Sequence, residues 1–418
     1  MMSQEPAEPD FRREYAKLVA TLSRRFGVEQ LAAVEDAAQL ALVRALERWP
    51  LEGQPERPSA WLLRVAHNAL LDELRTQGNR RRLLARGREQ LAPSPEPQLA
   101  APLPSELRDD LLRMLFVCCD DQLPAASQLV LALSALCGFS VAEIAQRLML
   151  SEANVYKRRA RARERLRERP GGFAQLERLT PEALCTRLPS VHRVLHQLFT
   201  EGYLSSHPEL AIREELCAEA LRLTLLLVEH PAGDTPQTAA LLALMYLHGA
   251  RLRARSDPAG ALLLLEQQDR GQWDRAKIGV GLESLARSAR GDRFSRYHAE
   301  AAIAAEHCLA PDLERTRWDV IAELYAQLEQ LEPSPLHRLA RALALAEAEG
   351  PAAGLALLEG FEPPTWLAGS YTWPAVLADL HRRCGHEEQA RRQRELALKL
   401  APSPALRALL ERRLAPLS

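Results

Sequence analysis

Apolar residues recur along this chain at helical spacing, and runs with the alternation and β-branching of strands are nearly absent. Residues 11–80 read as helices. EQLAAVEDAAQLALVRALERWP is amphipathic and is expected to stop at Trp49-Pro50. PLEGQPERP predicts a loop, after which SAWLLRVAHNALLDELRTQ resumes the helical period with Leu62, Val65, Ala66 and Ala69 on one stripe. Residues 92–105, APSPEPQLAAPLPS, are rich in proline and predict a linker. Residues 108–168 form a second helical unit. From Phe173 helix follows helix, with breaks expected at Pro189, Pro208, Pro231, Pro258, Pro311, Pro333, Pro351 and Pro374.

The tail carries a weak repeat: DPAGALLLLEQQD (257–269) echoes GPAAGLALLEGFE (350–362). In PAVLADLHRRCGHEEQARRQRELALKLAP, Leu377, Ala378, Gly385, Ala390, Ala397 and Pro402 fall at the small and apolar positions of a tetratricopeptide unit. Pro374 and Arg394 stand where large aromatics are usual. Small residues at such positions let paired helices approach closely, so a stacked helical repeat is expected.

Composition agrees with an all-α soluble protein. Of 418 residues, 47% are hydrophobic and 26% charged, and the helix formers Ala, Leu, Arg and Glu dominate. The length suggests two or three domains. The formal net charge is −1, which by itself names no polyanionic partner, but the charge is uneven. Residues 75–88 hold six arginines and no acid, and residues 147–169 hold nine Lys/Arg against three Glu. Two basic clusters on a neutral chain point to local contact with a polyanion. No apolar run approaches a membrane span, the first residues are unlike a signal peptide, and the seven cysteines show no paired spacing. A cytoplasmic protein with reduced thiols is expected.

One segment carries chemistry: CGFSVAEIAQRLMLSEANVYKRRARARERLRE, residues 137–168. Ser140 with Glu143 makes a capping box that opens a short helix. Val141, Ile144, Ala145 and Leu148 give that helix one apolar face. MLS makes a turn, and Ser151 caps a second helix. This is the order of a helix-turn-helix, whose second helix enters the major groove by its N-terminal part. On that helix Asn154, Lys157, Arg158 and Arg161 share a face. Asn suits adenine edges, Arg guanine edges, and either cation phosphate. Val155, Ala162 and Leu166 mark the inward face, which Arg159 interrupts.

This segment resembles the −35-reading region of bacterial extracytoplasmic-function sigma factors, subunits of RNA polymerase that choose promoters. LPAASQLVLALSALCGFS before it resembles the helix leading into that region. VEDAAQLALVRALERWP and SAWLLRVAHNALLDELR resemble the family's other domain, in the same order and spacing. The resemblance implies a domain over 8–82 that binds the core polymerase clamp and the −10 element, a flexible linker over 83–107, and a helix-turn-helix domain over 108–170. It also implies a helical tetratricopeptide-like regulatory domain over 173–418, as in one subgroup whose tail is thought to set activity. VLHQLFTEGYLSS (194–206) and LLEQQDRGQWDRAKI (264–278) resemble signature segments of that tail.

By the same resemblance, Asp36, Gln39 and Arg44 would meet the clamp. The loop over residues 50–60 would hold an unstacked base of the −10 element, with Trp61, Arg64, His67, Asn68 and Arg75 near it, the Trp61 ring being an expected core anchor. Ser151, Asn154, Lys157, Arg158 and Arg161 would read the −35 element. Leu40 stands where many members carry an acid, and Met149 where a turn glycine is common. The expected partners are core RNA polymerase, promoter DNA and, within the chain, docking of the tail on the sigma domains. No membrane partner, cofactor or metal is expected.

Two other classes of protein fit the sequence less well. An enzyme would need a recognisable site, and no GxxxxGK[ST], GxGxxG, HExxH or GxSxG is present. His192 and His196 are spaced for a metal but have no third ligand nearby, Cys118 and Cys119 read as core, and Glu201-Gly202-Tyr203 fits a helix end as well as a pocket. A one-component regulator, a helix-turn-helix with a ligand-sensing helical tail, would leave residues 11–80 merely structural.

Overall fold

The computed structural model describes residues 8–85, 104–168, 181–203 and 212–415, apart from Asp121, Met149, residues 258–260, Asp292 and Ser403. Most of the expected linker therefore lies outside the described residues, as do Met149, Pro208, Pro258 and the side chains of most of the arginines in 75–88. The described chain is helical throughout, with one isolated bridge between Ser256 and Leu262. It divides into two compact units, Met1–Val194 and Leu195–Ser418.

The first unit holds α1 (Glu8–Phe26), α2 (Leu31–Glu52), α3 (Pro58–Ala85), α4 (Pro104–Cys118), α5 (Ala125–Ala135), α6 (Val141–Arg147) and α7 (Glu152–Glu168). A short 3₁₀ turn, Val28–Gln30, joins α1 to α2. Helix α2 buries Leu31, Val34, Ala38, Ala41 and Ala45 and packs on α3, which buries Leu62, Leu63, Ala66 and Leu70, with α1 across them. Of the stripe read from sequence Leu62 and Ala66 are core, whereas Val65 and Ala69 are half-buried and Leu63 and Leu70 take their place. The helix expected to stop at Trp49-Pro50 runs on to Glu52 and ends at Gly53, whose φ of 86° suits glycine. The loop before α3 is correspondingly shorter than the expected 50–60.

Helices α4 and α5 are apolar on most sides, and Met114, Leu115, Phe116, Val117, Cys118, Cys119, Leu131 and Leu133 are all buried. The sequence suggests two domains free to swing about a linker. In the structure they are packed together instead: α1 lies against α4 and α5, and α7 lies along the 3₁₀ turn before α2. Arg24 pairs with buried Asp110 at 3.1 Å, and Arg12 pairs with Glu143 at 2.6 Å while its guanidinium covers the Phe139 ring.

Helix α8 (Pro181–Tyr203) contributes to both units. It contains Pro189, so that proline does not break the chain as expected. The second unit continues with α9 (Glu214–Val228), α10 (Pro236–Gly249), α11 (Arg275–Ser288), α12 (Arg296–Leu309), α13 (Trp318–Leu331), α14 (Pro335–Ala348), α15 (Pro351–Leu358), α16 (Thr365–Ala368), α17 (Thr372–Arg383), α18 (Glu387–Lys399) and α19 (Pro404–Arg413). Most sequential neighbours pack against one another. Pro374 also stays inside a helix, at the third position of α17, where its missing N–H has no helical acceptor to lose. Ala378 and Ala397 meet between α17 and α18, and Gly385 turns the chain between them with a φ of 77°. Gly202 explains the Glu201-Gly202-Tyr203 segment: a Cβ there would stand 2.7 Å from the Cys217 amide nitrogen and 2.8 Å from the Arg213 carbonyl, so only glycine lets α9 start this close. The Arg213 N–H donates to the Gly202 carbonyl at 2.7 Å.

Candidate nucleic-acid interface

The capping expected at the helix-turn-helix is present. The Ser140 hydroxyl accepts from the Glu143 N–H at 3.2 Å, and the Glu143 carboxylate accepts from the Ser140 N–H at 2.8 Å. The Ser151 hydroxyl accepts from the Asn154 N–H at 3.3 Å, opening α7. Val141, Ile144 and Ala145 of α6 and Val155, Ala162 and Leu166 of α7 are buried. That burial turns Ser151, Asn154, Lys157 and Arg161 outward, with Arg158 half-buried beside them. Tyr156, which the shared-face argument does not select, also stands exposed there.

Arg159, the residue that breaks the apolar face of α7, has a partner no local pattern reveals. Glu35 of α2 is fully buried, and one of its carboxylate oxygens lies 3.1 Å from the Arg159 guanidinium while the other accepts from Arg163. The Ser134 hydroxyl donates to Glu35 at 2.8 Å. Burial lowers the Arg163 pKa, and burial lifts that of the adjoining Tyr15 to about 12. The carboxylate thus ties α7 to α2. The two half-buried guanidiniums and the Ser134 hydroxyl together let the Glu35 carboxylate be buried.

On α2, Asp36, Gln39 and Arg44 are exposed alongside the apolar side chains of Leu40, Val43 and Leu46. On α3, Arg64, Asn68 and Arg75 are exposed, Arg75 with Asp72 at 3.6 Å. Trp61 is half-buried against Trp49, whose ring in turn stacks on Phe11. His67 departs from the expected polar face. It is buried with its ring against Phe26, and burial lowers its pKa. A neutral, covered imidazole does not face template or phosphate, so His67 is a packing residue here.

The histidine pair of α8 does not converge. His192 is buried, and His196 lies 3.1 Å from Glu300. Among the described residues no three His, Cys, Asp or Glu groups are placed to hold a metal ion. The seven cysteines are free thiols. Burial pushes His192 down to about 4, His248 to about 3 and His307 to about 4. An unfolded chain protonates each near pH 6.5, whereas the folded chain stays neutral until far lower pH, so the unfolded state binds more protons in between. Stability is therefore complete above about pH 6.5 and falls below it, by about 1 kcal/mol per pH unit for each histidine. The thermal midpoint should drop steadily between pH 7 and pH 5; a flat midpoint across that range would contradict these burials.

Comparison with known proteins agrees with the geometry. Residues 11–80 match Sigma-70 region 2, and residues 113–166 match Sigma-70 region 4. Residues 187–289 match a family of unknown function (DUF6596), which corrects the tetratricopeptide expectation for that part of the tail. No solved structure matches the chain. These are the two DNA-engaging regions of a sigma factor, and the chain belongs to the sigma-70 family, in an extracytoplasmic-function-like form with a helical extension. It is 36% identical over 387 residues to an uncharacterized protein of Rhizobium meliloti (strain 1021), a match covering 92% of this chain and 90% of the relative. Among the described residues no helix is long and apolar enough to cross a membrane.

Proposed function

We propose that this sigma factor binds core RNA polymerase through the exposed face of α2, reads a −35 element with α7, opens a −10 element beside α3, and is regulated by its tail. What carries the reading is the capped α6–turn–α7 unit, which presents Asn154, Lys157 and Arg161 outward with Arg158 at their edge. Leu40, Val43 and Leu46 support the polymerase contact, since an exposed apolar row rimmed by Asp36, Gln39 and Arg44 suits a protein partner. Arg64, Asn68 and Arg75 supply exposed polar and cationic groups for a separated strand. The match to region 2 weighs against a one-component regulator, which has no need of it.

The test is Arg158→Ala in complex with core polymerase. It should cost about 1–3 kcal/mol of discrimination at one −35 position and leave polymerase association intact. Unchanged promoter selectivity in a binding competition would remove Arg158 from the readout.

A further inference from the structure

The second unit gathers a group of cations, Arg251 buried and Arg255 and Arg270 half-buried, for which the sigma-factor reading has no use. At the end of α10 Arg251 is only 7% exposed; its guanidinium lies 4.9 Å from the Trp273 ring centre and donates to the Gln268 side chain at 3.2 Å. Arg270 lies 4.6 Å from the same ring and donates to the carbonyls of His307 and Ala310, each at 2.7 Å. Arg255 covers the Tyr203 ring at 3.7 Å and donates to the Tyr203 carbonyl. Tyr203 in turn packs on His248, ring centres 4.6 Å apart. Three guanidiniums are thus gathered around two aromatic rings and two imidazoles.

Among the described residues no carboxylate lies within ion-pairing distance of Arg251, Arg255 or Arg270. Neighbouring acids are used elsewhere: Asp269 accepts from the Gly271 N–H, Asp274 from the Lys277 N–H, and Glu300 holds Arg296 and His196. Asp312 acts on Arg270 through its field alone. Burial first, and then these guanidiniums, hold His248 and His307 neutral. Arg251 Nε, Arg270 Nη2, Trp273 Nε1 and the Nδ1 atoms of His248 and His307 are buried without a hydrogen-bond partner. Structural arginines are normally matched by carboxylates, and buried N–H groups by acceptors. The guanidinium and indole N–H groups leave this site with cations and donors in excess, while each neutral imidazole nitrogen can donate or accept by tautomer, and its chemistry is complementary to an anion.

We propose that Arg251, Arg255, Arg270 and Trp273 form a binding site in the second unit for a phosphoryl-bearing anion. A phosphoryl group brings close to two negative charges and three acceptor oxygens, which suits three guanidiniums better than the single charge of a carboxylate. The site lies almost wholly within the stretch that matches the family of unknown function. It does not depend on the promoter-reading assignment, so either can fail without the other.

The experiment titrates inorganic phosphate into the full chain by calorimetry and follows the thermal midpoint of the same samples, with sodium chloride at matched ionic strength and malonate in parallel. Phosphate should bind in the millimolar range or tighter and raise the midpoint beyond chloride. Arg251→Gln and, separately, Arg270→Gln should weaken phosphate binding about tenfold or more. Arg253→Gln, an exposed arginine in the same turn, should leave it unchanged. Phosphate acting no differently from chloride, malonate acting as strongly as phosphate, or full binding retained in both variants would each overturn the assignment. The wild-type comparison of the three salts decides even if a variant fails to fold.

Discussion

Glu35→Gln should open the first unit. The substitution leaves the Arg159 and Arg163 guanidiniums, which hydrate only in part, against a neutral amide, and removing one partner of a buried ion pair costs about 3–5 kcal/mol. That cost disappears when the two small domains part, because both arginines then reach water. The penalty therefore acts on the packed arrangement more than on either domain's own core. About 3 kcal/mol corresponds to a shift of roughly a hundredfold towards separated domains. Small-angle scattering of the full chain should show a larger radius of gyration, and a double-mutant cycle of Glu35→Gln with Arg163→Met should be strongly non-additive. An unchanged radius together with additive effects would mean that Glu35 does not hold the domains together. A sigma factor engaging two promoter elements must present both regions to DNA, so the same substitution should also raise binding of −35 duplex by the free protein.

Arg187 is the second residue whose loss should be severe. It belongs to the first turns of α8 and lies 3.2 Å from Asp120, just past the end of α4, with both side chains buried. Asp120 also organises the turn before α5: its carboxylate accepts from the Gln122 N–H and its carbonyl from the Gln128 side chain. Arg187→Met should destabilise the helix-turn-helix domain by about 3 kcal/mol, because a buried carboxylate loses its guanidinium. Truncation after about Arg169 removes the same partner, and we expect it to reduce transcription. Asp120→Asn should restore much of the stability in the truncated chain, since a neutral amide needs no cation. Full transcription from the truncated chain would refute a licensing role for the tail. A midpoint unmoved by Arg187→Met would refute the ion pair as its means.

The helix-turn-helix was legible because its determinants are local: a capping box, a second cap and an apolar face lie within 32 residues. The region 2 helices were legible by period. What escaped depends on residues far apart in the chain. Arg159 marked itself as an anomaly on an apolar face, but Glu35 lies 124 positions away and looked like any acid on α2. His67 read as polar by type, and only α1, through Phe26, covers it. Pro189 and Pro374 read as breaks by residue type, yet Pro189 lies exposed inside α8 and Pro374 lies in the first turn of α17, where proline costs no helical hydrogen bond. The segment 264–278 stood out as a signature, yet gathering Arg251, Arg255 and Arg270 about Trp273 and Tyr203 took the folding of three separate stretches.

Run-off transcription tests the central claim most directly: the full chain is added to core RNA polymerase freed of other sigma factors, on fragments of the source genome. Discrete transcripts should arise from a small set of promoters sharing −10 and −35 elements, and should be lost when the exposed α2 face is disrupted by substitutions at Asp36 and Gln39. Failure to associate with core polymerase, or DNA binding without any initiated transcript, would contradict that claim.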